Sequence, residues 1–185
     1  MKKVIWALAA LMTLAACSKK QTSATPTEAT PTETSYVTAI DRYLAEEIGS
    51  QYAKGEHCVP LHTIVGVDER NTGDILVWGD FWVFNYKIAG DTLKTVSGGN
   101  HPCRLQISEL DGSPYVMGYD IVEDGAGNDK SAREIFGKHY DVYQNIHSNQ
   151  EVREVVRHEQ LQEYVRRHNL DVHYYQDYGW PAVEL

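Results

Sequence analysis

Few side chains in this sequence stand where they could do chemistry, and the most unusual of them is Asp80. In the run Ile75 to Ile88, the alternation of a β-strand puts Leu76, Trp78, Asp80, Trp82, Phe84 and Tyr86 on one side. A carboxylate in the middle of an otherwise apolar, aromatic side is costly unless it is paired or protonated. Held in a pocket, such a group can have a raised pKa and work as acid or base, and a histidine can partner it. His101, in the glycine-rich stretch Ser97-Gly98-Gly99-Asn100-His101-Pro102, and Asp120, between Gly118 and Val122, are the candidate partners. Trp78 and Trp82 would flank the pocket, or else belong to the core. The competing reading is structural: Gly79 suggests a β-bulge that turns Asp80 outward or lets it bond to backbone amides.

Other motifs fail on spacing. His158-Glu159 begins a metalloprotease pattern, but Gln162 stands where the second zinc histidine belongs. Asp120, Asp124 and Gly125 partly match a calcium loop, yet Val122 and Ser131 occupy required ligand positions. Gly125-Ala126-Gly127 lacks the third glycine of a dinucleotide fingerprint and reads as a turn before a helix. His139, His147, His158, His168 and His173 are scattered and read as helix-surface residues. No metal site and no cofactor follows from these residues.

The chain ahead of the folded part carries a different message. Lys2 and Lys3 precede Val4 to Ala16, an apolar run broken only by Thr13, and Leu14-Ala15-Ala16-Cys17 ends it. The run is too short to span a bilayer as a helix, and small residues precede the expected cut. This stretch resembles a bacterial lipoprotein signal peptide, residues 1–16. The resemblance implies cleavage before Cys17, acylation of that cysteine with a fatty acid such as palmitate, and a domain held outside the cytoplasm at the bacterial cell envelope. Residues 18–34 contain six threonines, two prolines and no large apolar residue, so 17–34 reads as a lipidated cysteine with a flexible tether. Residues 35–185 are suited to a single globular domain. The net charge of -9 argues against nucleic acid and against a basic membrane-binding face, leaving lipid on Cys17 as the expected membrane contact. Outside the cytoplasm, an even number of thiols favours a disulfide between Cys58 and Cys103, which would contribute about 3–4 kcal/mol; two buried free thiols are the competing reading.

Periodicity orders the elements that must position these residues. Val37, Ile40, Leu44, Ile48 and Tyr52 share one face of a helix over about 36–53. Strands are expected at Val59 to Val67, Ile75 to Ile88, Thr92 to Val96, Arg104 to Leu110 and Tyr115 to Val122. Helical spacing returns from Lys130 to Ile146 and again from Gln150 to His168, where opposed apolar faces suggest a break near His158. Tyr174, Tyr175, Tyr178 and Trp180 are too apolar for a free tail and should dock on the domain. The fold class is α+β: an N-terminal helix packed on a curved antiparallel sheet of four to five strands, followed by two or three C-terminal helices. This order resembles the cystatin-like and nuclear-transport-factor-2-like group. The strings Val77-Trp78-Gly79-Asp80-Phe81-Trp82-Val83-Phe84, Ser97 to Pro102 and Tyr175-Gln176-Asp177-Tyr178-Gly179-Trp180 are similar to strings of uncharacterised bacterial lipoproteins. With no complete catalytic constellation, the expected function is non-enzymatic binding of a small ligand or an envelope protein. The alternative is a pocket hydrolase or isomerase using Asp80 with His101 or Asp120.

Overall fold

The computed structural model describes residues 31–71, 74–111 and 113–185. Residues 1–16, expected to be a signal peptide, and Cys17, expected to be lipidated, lie outside the described residues. The architecture is α+β, as the periodicities predict. Helix α1 (Pro31–Tyr43) leads through a π-turn at Leu44–Ile48 and a short 3-10 turn into strand β1 (His57–Asn71). Helix α1 begins inside the segment expected to be tether, with a proline at its first position, where the missing N–H costs nothing. Strands β2 (Asp74–Ala89), β3 (Thr92–Asn100), β4 (Cys103–Leu110) and β5 (Ser113–Ile121) follow. Helices α2 (Asn128–Phe136), α3 (Tyr140–His147) and α4 (Gln150–Arg167) come next, then short strands β6 (Tyr174–Gln176) and β7 (Val183–Glu184). The open sheet runs β5-β4-β2-β3-β6-β7, with β1 pairing β2 off that path. All pairings are antiparallel except β3 with β6, so the sheet is mixed and larger than the four or five strands expected.

Strand β2 is the organiser, because its two faces carry two different cores. Val77, Phe81 and Val83 point toward α1 and meet Tyr36, Ile40, Leu44 and Ile48. Trp78, Tyr86 and their even-numbered neighbours point the other way, toward α2, α3, α4 and β6. Burial on both sides is why β2 reads as a nearly unbroken apolar run, in which an aspartate stands out. Gly79 does not make a bulge in β2: a Cβ there would collide with the Phe81 ring that lies across it. The register slip falls instead in β1, between Ile64 and Gly66, and Gly66 leaves room for the ring of His139.

Several local expectations need correction. The glycine-rich stretch before His101 is strand as far as Asn100, not loop. Its glycines answer to close approach, since a Cβ on Gly98 would strike the Val83 carbonyl and one on Gly99 the Tyr52 hydroxyl. Helix α4 runs without a break through His158. Leu161 is buried against the sheet while Val152 and Val155 stay exposed, so one apolar face is enough. The preceding helical stretch does break, at Gly137, whose φ of 49° ends α2. Of the C-terminal aromatics, Tyr175 docks in the core, but Tyr178 and Trp180 are exposed.

Cys58 and Cys103 are free thiols, not a disulfide. Cys58 pairs with Asn85 and Cys103 with Gly79, on opposite sides of β2. Six residues along a strand separate the two positions by roughly 20 Å, far beyond disulfide reach. Burial pushes both thiols above their ordinary pKa.

Candidate functional site

The three residues expected to share a pocket are not brought together. Asp120 lies on β5 and is held by the Arg104 guanidinium, with Nε at 3.0 Å, in an exposed cross-strand ion pair. His101 turns its Nε2 to the Tyr52 hydroxyl at 2.9 Å, and burial pulls its pKa below the ordinary histidine value. Trp78 belongs to the core, its indole N–H donating to the Ile135 carbonyl at 2.8 Å. Asp80 and Trp82 remain, and both line a cleft.

Asp80 is only 1 % exposed. It is not fastened to backbone amides: its Oδ1 accepts from Asn100 Nδ2 at 2.5 Å, and the same amide nitrogen donates to the Phe81 carbonyl. Asn100 reaches it from β3, where it pairs with Trp82 across the ladder. On the far side stands His147, the last residue of α3, with Nδ1 at 3.5 Å from Asp80 Oδ2. That separation is too long for a good hydrogen bond. The Tyr143 ring stacks on His147, and its buried hydroxyl has no hydrogen-bond partner. Burial first, and then the charge of Asp80, raises the Tyr143 pKa. Two of the histidines expected on helix surfaces are half-buried and turn a ring edge inward: His147 toward Asp80, and His139 between Trp78 and Gly66. For His147 the available signal was Tyr143, four residues before it on the same face of α3.

The cleft runs between the even-numbered face of β2 and helix α4 and has a volume of about 350 Å³. Asp80, Trp82 and Phe84 form its floor, with Leu61 and Thr63 of β1 beside them. The rings of Trp82 and Phe84 are parallel within 5°, their centroids 5.7 Å apart. Arg153 and Arg157, one turn apart on α4, cover them. Arg157 lies 4.1 Å from the Phe84 ring and 4.8 Å from Tyr175. It also donates to both carboxylate oxygens of Asp177 at 2.7 Å and to the Tyr86 hydroxyl at 2.9 Å. These bonds hold Asp177 below the usual carboxylate range. Arg153 stands further off, 6.0 Å from the Trp82 ring. Trp180, 72 % exposed, stands at the rim. Arg153 and Arg157 were not singled out by sequence, although arginines four apart mark one helix face, and Asp177 and Trp180 stood out only as part of an aromatic C-terminal string, not as cleft residues.

An aromatic floor, a carboxylate at one end and a guanidinium above it can hold a small amphipathic molecule. A proton relay through this cleft has less support, since His147 is not among the residues lining it. Among the described residues no cluster of histidine, cysteine, aspartate or glutamate has the geometry of a metal site. Compared with known proteins, the chain matches no family model, no curated protein and no solved structure.

Proposed function

We propose that this is a lipid-anchored protein of the bacterial cell envelope whose extracytoplasmic domain binds a small ligand, without chemical conversion, in the cleft between β2 and α4. The observation that carries the reading is the cleft itself: a volume of about 350 Å³ with Trp82 and Phe84 as floor and Asp80 and Arg153 facing in. That size and mixture, mostly apolar with a few placed polar groups, is what small-molecule sites use. Anchoring rests on the lipobox-like Leu14-Ala15-Ala16-Cys17, and no helix among the described residues is long and apolar enough to cross a membrane. The enzymatic alternative loses its support because Asp80, His101 and Asp120 each have separate partners.

The test is a thermal-shift screen of the full chain in detergent micelles against metabolites and glycans, repeated on Trp82→Ala. Ligands of this cleft raise the melting temperature of the wild type and lose that effect in the variant. Hits that persist in Trp82→Ala and in Arg153→Ala would place binding elsewhere and overturn the reading.

A further inference from the structure

Two opposite charges face this cleft without meeting. Asp80 is nearly fully buried, and among the described residues the basic group beside it is the imidazole of His147. Arg153, half-buried on α4, has the Trp82 ring as its neighbour and makes no ion pair among the described residues. The other guanidinium of the cleft is occupied, since Arg157 is held by Asp177 and Tyr86. Rim residue Glu154 is exposed and accepts from the Gln150 amide at 2.6 Å. Trp82 neighbours both charges, which do not pair with each other. It is two residues from Asp80 on the same face of β2, which separates their Cα atoms by about 7 Å. A direct Asp80–Arg153 pair would neutralise both groups, but Asp80 is held by Asn100 of β3 and makes no ion pair with Arg153. Behind Asp80 the buried Tyr143 hydroxyl has no hydrogen-bond partner, so at that end of the cleft the carboxylate has the Asn100 amide and, at 3.5 Å, the His147 imidazole for company and no arginine or lysine pair among the described residues.

Opposite charges that line one groove without pairing with each other attract a ligand that carries both signs. Resting on the ligand-binding reading above, we infer that the cleft selects a dipeptide-sized zwitterion, its ammonium toward Asp80, its apolar body on Trp82 and Phe84, and its carboxylate on Arg153. A free α-amino acid carries its charges on one carbon, too close together to reach both groups across an indole ring. The two termini of a dipeptide are several ångströms apart, and its bulk suits the volume of the cleft.

Isothermal titration of the full chain in detergent micelles with glycyl-phenylalanine, its C-terminal amide, its N-acetyl derivative and methyl glucoside tests this. Glycyl-phenylalanine should bind, and the amide and N-acetyl forms should each bind about tenfold more weakly or worse. Arg153→Gln, at a half-buried position with no ion pair to lose among the described residues, should fold normally, weaken the dipeptide to the level of its amide, and leave the amide's own affinity unchanged. Equal binding of all three peptide forms would mean that the cleft reads shape and not charge, and would overturn the inference while the binding reading stands. Preference for methyl glucoside would overturn it in favour of a hydroxylated ring. Silence from every probe would also overturn it, leaving the wider screen to decide whether the cleft binds anything.

Discussion

An aspartate that is 1 % exposed needs its lone pairs occupied, and Asn100 supplies the donor at 2.5 Å. Asp80→Asn keeps the shape and loses the charge-assisted bond, so it should cost about 1–3 kcal/mol in urea unfolding. A gain in stability would mean that the buried charge is a net burden in the free protein. Two histidines set a pH dependence. Burial lowers the pKa of His101 and, more than Lys138 does, that of His139. The unfolded chain takes up these protons near pH 6.5, while the folded protein takes them only at lower pH. Stability from these two sites is therefore full above about pH 6.5 and declines as pH falls below it. Melting temperatures should drop between about pH 7.5 and 5.5, and a His101→Gln, His139→Gln double variant should show a flatter profile.

At the scale of elements, β1 is an edge strand along much of its length, and Gln160 of α4 covers part of that edge. The Gln160 side-chain carbonyl accepts from the His62 N–H at 2.9 Å, and its amide donates to the His62 carbonyl at 2.7 Å. One side chain thus mimics a neighbouring strand and blunts an edge that could pair with another chain. Gln160→Ala should destabilise the protein by about 1–2 kcal/mol and speed hydrogen exchange at the His62 amide. Unchanged exchange there would show that the contact is dispensable. Strand β3 makes a second demand, because Gly98 lies against the backbone of β2. Gly98→Ala should loosen the β2–β3 pairing and cost about 1–3 kcal/mol, since a carbonyl cannot give way as a flexible side chain would.

On the scale of the whole molecule, attachment and redox state are separate questions. If Cys17 carries the lipid, Cys17→Ala should move the protein from the membrane to the soluble fraction. Persistent membrane association after a salt wash would overturn the anchor. The domain holds together without a cystine: Cys103 is 4 % exposed and Cys58 belongs to a different stretch of the sheet. Thiol labelling without reductant should find both sulfurs free once the protein is unfolded, and Cys103 protected in the native state.

The α+β order, with its leading helix, five central strands and later helices, was legible because each element repeats its apolar residues at its own period. Asp80 stood out for the same reason, as the one charge on the aromatic side of the run Ile75 to Ile88. Partnership was not legible. Asp80 meets Asn100 and His147, not His101 or Asp120, because register and the path of α3 decide which side chains face each other. The glycines before His101 looked like a loop, and only the approach of β2 and Tyr52 shows them to be strand. The cysteine count was even, yet the two positions lie on opposite sides of β2 and far apart along it. Local sequence determined which elements form, since period and turn residues act over a few positions. Tertiary structure alone decided the cleft, because Trp82, Arg153 and Trp180 meet only when α4 and the C-terminal segment close over the face of β2.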